Sequence, residues 1–319
     1  MGAVSSIIPI FLISTNEWHL FTVSFLLGSV FGIGLPSCLA LFAEMTNVDN
    51  RGRLSGVVFL ASNLVIAIIA VALLNVELAL VALVAGVWRV IGLMLFFVLK
   101  PEEERKVEAD RHFTSSSVFQ NRQFIFYFVP WVAFSLIEWV ENPIRANLFG
   151  EFATFAEVLG VAIGSIGAAV GGIFADKIGR KIIVLYGFIS IGIAYAVLSI
   201  APANILVWYF FTLIDAIAFG LIYVIFILTL WGDLSQHSQR EKYYAIGTIP
   251  FFIAGILELV VRPYVSLIHP ESAFSLAAFF LFLAVLPLLY AQETLPEKTI
   301  RDRELREYVE KAKRKALGK

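Results

Sequence analysis

Uninterrupted apolar runs about 20 residues long recur along this chain, separated by short polar stretches, and they leave it few folds to choose from. A helix rises about 1.5 Å per residue, so roughly 20 residues match a hydrocarbon core about 30 Å thick. Runs of that kind occupy residues 18 to 43, 54 to 74, 78 to 99, 123 to 147, 151 to 175, 181 to 200, 204 to 231, 243 to 262 and 271 to 291. Residues 3 to 14 are apolar but too short to span, and read as a span cut at its start. Of 319 residues, 59% are hydrophobic and 15% charged, which leaves too little polar cover for a water-soluble domain. The expected fold class is an all-α polytopic membrane protein of about ten segments, with the lipid bilayer as its solvent.

The charges are sorted by position. Residues 100 to 122 carry Lys100, Arg105, Lys106, Arg111 and Arg122 among several acids and around Ser115-Ser116-Ser117, which makes them an aqueous linker. The chain thus divides into an incomplete N-terminal helical half (1–100), a linker (101–122), a six-helix C-terminal half (123–292) and a charged tail (293–319), helical and solvated or lying on the membrane surface. Alternate connections hold Arg51 and Arg53, then the linker set, then Lys177, Arg180 and Lys181, then Arg240 and Lys242, whereas the other face offers Arg145 and Arg262. The positive-inside rule places the linker and C-terminus in the cytoplasm, and an even number of segments places the N-terminus there too. A net charge of −1 gives no ground for nucleic acid as a partner. The single cysteine, Cys38, excludes an intramolecular disulfide and reads as a small core residue. Trp18, Trp208 and Trp231 sit near segment ends, as interfacial belt residues do.

The two halves echo each other. Asn16 and Gly32 match Asn204 and Gly220 at an offset of 188, Glu44 and Arg51 match Asp233 and Arg240 at 189, and Glu102 matches Glu293 at 191. In order and at matching ends of apolar runs, these pairs indicate a duplicated helical unit.

The most specific stretch is Gly171-Gly172-Ile173-Phe174-Ala175-Asp176-Lys177-Ile178-Gly179-Arg180-Lys181, between two apolar runs. Gly179 permits the tight backbone of a very short helix-to-helix turn, Asp176 can accept from orphan N–H groups at a nearby helix start, and Lys177, Arg180 and Lys181 suit the cytoplasmic side. The spacing Gly-x-x-x-Asp-Lys-x-Gly-Arg-Lys from Gly172 to Lys181 resembles that of the major facilitator superfamily of transporters, which carry it after their second and again after their eighth helix. The offset of the repeat puts the first-half partner of this stretch upstream of Met1. The resemblance therefore implies a major facilitator fold represented by family helices three to twelve, in two pseudo-repeated halves. Glu44 to Arg51 reproduces the Glu-x6-Arg spacing of the sugar-porter branch, with Asp233 to Arg240 as its counterpart. In the family such groups, with Asp176 and Arg180, join a cytoplasmic gate that must break when the cavity faces inward. Pro101-Glu102 with Arg105 resembles the Pro-Glu-Ser-Pro-Arg element, and Glu293-Thr294 the Pro-Glu-Thr element, of sugar porters, with glutamates at the inner Ser and Pro and Gln292 in place of proline. Gly28 stands where many proton-coupled members have arginine, and residues 54 to 74 lack the Gly-Pro signature of drug antiporters, which points away from a proton–drug antiporter.

Ionisable groups inside spans are costly unless they face a cavity or a partner. Asp215 falls near the bilayer midplane and is the first candidate for coupling or substrate contact. Glu138, Glu141 and Asn142 lie in the outer part of the helix corresponding to the family's cavity-lining seventh, where Pro143 would loosen it. Glu258 and Arg262 share a helix face, either as a local ion pair or as site residues. Asn63 offers a polar contact from the first half or a helix–helix hydrogen bond. Arg89 is assigned no site role. No metal-ligand spacing, phosphate-binding glycine loop or intramembrane catalytic constellation occurs, so neither a cofactor nor an enzyme is expected. The expected function is secondary active transport of a small-molecule substrate, with H+-coupled symport of a sugar or other small metabolite by a plasma-membrane monomer; the alternative is a truncated homologue that inserts without transporting.

Overall fold

The computed structural model describes residues 17–72, 78–99, 116–139 and 141–295, together with Val76, Leu305 and Val309. The short run 3–14, the linker residues 100–115 with Glu102 and Arg105, and nearly all of the tail beyond Leu295 lie outside the described residues. What is described is helical, with no strand among the described residues, and nine of the stretches are long and apolar enough to cross a membrane.

In chain order the helices are α1 (Glu17–Met45), α2 (Arg51–Ala72), α3 (Leu78–Leu99), a short α4 (Ser116–Gln120), α5 (Arg122–Glu138), α6 (Glu141–Leu148), α7 (Gly150–Ile178), α8 (Arg180–Ile200), α9 (Ile205–Tyr223), a π-helical stretch (Val224–Leu230) running into α10 (Trp231–Leu234), α11 (Arg240–Val261) and α12 (Pro270–Tyr290). Where the sequence predicts one span over 123 to 147, the structure has two helices. Trp139 ends α5 with its N–H on the Ile137 carbonyl, and Pro143 sits in the first turn of α6, where a missing N–H breaks no helical bond. Side-chain caps start two of the spans: the Asn121 side chain accepts from the Gln123 N–H at 3.0 Å, and Asn204 from the Leu206 N–H at 3.0 Å.

By proximity the chain forms two compact units, Met1–Leu39 with Leu64–His112, and Ala40–Asn63 with Phe113–Lys319. In the first, α3 turns large apolar side chains outward, as with Phe97 and Val98, a distribution that suits lipid and not water. In the second, small residues bring helices together. On α7 and α9, a Cβ added to Gly220 would overlap the Gly164 carbonyl oxygen and lie 2.7 Å from the Ala168 nitrogen. Lipid offers no hydrophobic force between helices, so this close backbone approach is what holds the pair. Gly220→Ala is expected to destabilise the fold by about 1–3 kcal/mol through overpacking. The check is thermal unfolding of the purified protein in detergent, and an unchanged midpoint would refute it.

Two aromatic placements differ from the sequence reading. Trp208 and Trp231 are fully buried against protein and are not belt residues. The Trp208 indole donates to the Pro202 carbonyl at 2.7 Å, and Trp231 packs on Phe124 with ring centroids 5.0 Å apart. Being near a helix end sets depth but not which face a residue takes, and here both face neighbouring helices. Cys38 differs in the opposite sense, being exposed on α1.

Candidate functional site

Two constellations stand apart within the second unit. The first is built on the turn between α7 and α8. Gly179 has φ +107, a left-handed backbone that a side chain rarely tolerates, and this allows α8 to start directly after α7. Each helix start around this turn is capped by a carboxylate from elsewhere in the chain. Asp176 accepts from the N–H groups of Gly52 (2.9 Å) and Arg53 (2.7 Å) at the start of α2, and Glu293 accepts from those of Arg180 (2.9 Å) and Lys181 (3.0 Å) at the start of α8. Both satisfy donors that a helix cannot satisfy itself, and both put negative charge at the positive end of a dipole.

Around these caps lies a buried ion cluster. Asp233 on α10 is enclosed by two arginines that are themselves buried, pairing with the Arg51 guanidinium and, at 2.9 Å, with Arg180 Nε. Arg51 also donates to the carbonyls of Ala43 (2.6 Å) and Thr46 (3.1 Å), while Arg180 reaches the Val48 carbonyl and, at 3.2 Å, Asp176. All three guanidinium nitrogens of Arg51 are hydrogen-bonded, whereas Arg180 Nε and Nη1 make no hydrogen bond among the described residues, so Arg180 is held there by ion pairing with Asp233 and Asp176. The other members of the sequence motif are placed differently. Lys181 Nζ donates to the Leu289 carbonyl at 2.8 Å, and Lys177 is exposed beside the Phe174 ring. Glu44 is exposed and acts on Arg240 through space; Arg240 is buried with Nε and Nη1 unpartnered among the described residues. Gly172 meets Gly52 so closely that a Cβ there would overlap the Gly52 carbonyl.

The second constellation is a cavity of about 510 Å³ lined from α2, α6, α7, α9 and α11 and from the α5–α6 break. Of the sequence candidates, Asp215, Glu138, Glu141, Asn142, Asn63 and Glu258 all line it; Arg262 does not. Glu258 and Arg262 form a local pair at 2.9 Å, with the arginine side chain 64% exposed. The Asn63 amide donates to the Phe59 carbonyl of its own helix at 3.0 Å and makes no helix–helix bond among the described residues. Because α5 stops at Glu138 and α6 restarts at Glu141, a stretch of five residues can present Glu138, Trp139, Glu141 and Asn142 to one space.

Arg145 corrects the sequence reading. Taken there as a cation of an outer connection, it is 4% exposed, lines the cavity, and donates to Glu141 Oε1 (3.3 Å) and Asn142 Oδ1 (2.7 Å). The spacing of Glu141 and Arg145 by four places them on one helix face, the same signal that paired Glu258 with Arg262. Glu157 and Thr212 also line the cavity, and neither was singled out by its sequence surroundings. The π-helical stretch was equally hidden. In it Thr229 Oγ1 donates to the Val224 carbonyl five residues back (3.2 Å) and lies 3.1 Å from Ser55 Oγ on α2.

No family model and no curated protein matches the chain by sequence. Solved structures match it by fold. The major facilitator superfamily proton:xylose symporter XylE, bound to 6-bromo-6-deoxy-D-glucose, aligns with a TM-score of 0.68 at 15% identity over 92% of this chain and 78% of that one. The human organic anion transporter MFSD10 (TETRAN) aligns with a TM-score of 0.70 at 14% identity over 90% and 74%.

Proposed function

We propose that this chain, which has the major facilitator fold, is a secondary active transporter that moves a small solute across a membrane by alternating access, coupled to protons. The observation that carries the reading is the cavity itself, a space of small-molecule size lined by buried ionisable groups inside membrane-length helices. Such groups are expensive in a bilayer and are retained where they meet a solute or an ion. Asp215 and Asp233 stand on one continuous helical run, 18 residues or about 27 Å apart along it, so a substrate site and a charge cluster are mechanically joined.

In this proposal Asp215 and Glu138 handle the coupling ion and the solute, with Glu141, Asn142, Glu258 and Asn63 beside them. The cluster of Arg51, Asp233, Arg180 and Asp176, with the caps from Asp176 and Glu293, is the cytoplasmic gate. It is stable when formed and must part when the cavity opens to that side. The protein would work as a plasma-membrane monomer with both termini cytoplasmic. Its helices would be divided at the linker as residues 1–100 and 123–292, and its cargo would be a sugar or another small metabolite carried with protons. The test is reconstitution of the full chain into liposomes with an imposed pH gradient and radiolabelled D-xylose, benzoate and tetraphenylphosphonium. Accumulation of one of them above its equilibrium level, abolished by a protonophore, is expected. Uptake of all three equal to that of protein-free liposomes would overturn the reading.

A further inference from the structure

We infer that the cavity selects an organic cation, a protonated amine or quaternary ammonium on an apolar or aromatic body; this rests on the transporter reading above and narrows its cargo. The charge inventory comes first. Five carboxylates line the cavity, Glu138, Glu141, Glu157, Asp215 and Glu258, against one arginine, Arg145. Two of them are matched, Glu141 by Arg145 at 3.3 Å and Glu258 by Arg262 at 2.9 Å. Glu138, Glu157 and Asp215 have no ion pair among the described residues, so acidic groups outnumber basic ones in the walls.

An independent observation comes from hydrogen bonding. Glu141 is 3% exposed, yet among the described residues its Oε2 accepts from nothing, and Glu138 Oε2 and Asp215 Oδ1 are likewise buried and unpartnered. Leaving a buried charged acceptor unmatched is costly, so the site is built for a donor that the chain itself does not supply. An anionic cargo would enter beside three unpaired carboxylates and be repelled. A neutral sugar brings hydroxyl donors but leaves the charge uncompensated in a low-dielectric space. An ammonium brings both the donors and the charge.

The remaining lining decides between an inorganic and an organic cation. Aromatic rings from three helices and the α5–α6 break, Phe59, Trp139, Phe219 and Phe251, face the space, and Trp139 lies across Phe251 with centroids 5.7 Å apart. Such faces attract a cation and pack against its apolar body. No group of three metal-ligating side chains occurs among the described residues, and about 510 Å³ far exceeds what a bare ion fills.

The experiment is equilibrium binding of radiolabelled tetraphenylphosphonium to the purified full chain in detergent, with no gradient. Saturable binding is expected, displaced by benzyltrimethylammonium and not by D-xylose or benzoate. Glu138→Gln and Asp215→Asn should each weaken it at least about tenfold. Glu138→Asp, which keeps the charge, should retain it and so controls for folding. Absence of saturable binding, displacement by xylose or benzoate, or undiminished binding in both neutralised variants would overturn the inference. A chain that binds the cation but accumulates nothing in liposomes upholds this inference and defeats transport. A chain that accumulates xylose or benzoate without binding the cation does the reverse.

Discussion

Asp233→Ala is expected to cost the fold about 3–5 kcal/mol, the range for removing one partner from a buried ion pair. The reason is what it leaves behind. Arg51 is 1% exposed and Arg180 fully buried, and Asp233 is the carboxylate that contacts both. Arg180 keeps Asp176 at 3.2 Å, whereas Arg51 would keep only carbonyl and hydroxyl acceptors, which carry no net charge. The measurement is thermal unfolding in detergent of Asp233→Ala, Arg51→Met and the double variant. The double variant should lose less than the two single losses combined, since removing both charges leaves neither stranded. Strict additivity, or a single variant as stable as the parent, would show that the pair carries no coupling.

How much of this could be read without coordinates depends on which force sets each feature. Helix limits were legible because bilayer thickness sets them: the expected span 78 to 99 is α3, Leu78–Leu99, and the expected 181 to 200 is Arg180–Ile200. The carboxylate at Asp176 was legible as a cap because its place next to a turn of fixed spacing leaves it few other uses, and it does bind the N–H groups of Gly52 and Arg53. What escaped is whatever depends on azimuth and not depth. Hydropathy averages over a helix, so it could not show that Trp208 and Trp231 turn inward or that Cys38 turns outward. It also could not separate Arg145 in a cavity from Arg145 in an outer connection, because both positions lie at a span's end. The widened π turn at Val224–Leu230 leaves no mark on composition at all, since an apolar run has the same hydropathy whether its bonds close at four residues or five.

Asp215→Asn is expected to reduce gradient-driven uptake in liposomes to the protein-free level, while the protein still inserts and unfolds at the parent's temperature. The substitution keeps the shape and one oxygen acceptor while exchanging the other oxygen for an NH2 donor, so packing around α9 should be preserved, but it removes the ability to gain and lose a proton or to hold a fixed negative charge. Stability should not suffer, because this carboxylate has an unpartnered buried oxygen and no ion pair among the described residues to lose. Neighbouring Thr212, 2% exposed with its hydroxyl unpartnered among the described residues, and Phe219 one turn on also line the cavity, so the aspartate shares a helix face turned to the space. Asp215→Glu, which restores the ionisable group one methylene further out, should recover a measurable part of the uptake. Uptake by Asp215→Asn equal to the parent's would remove this residue from the coupling path. Loss in both Asn and Glu variants, with unchanged unfolding, would mean that the position demands the shorter reach of aspartate, as it would if the group must meet a proton or a solute at one fixed depth.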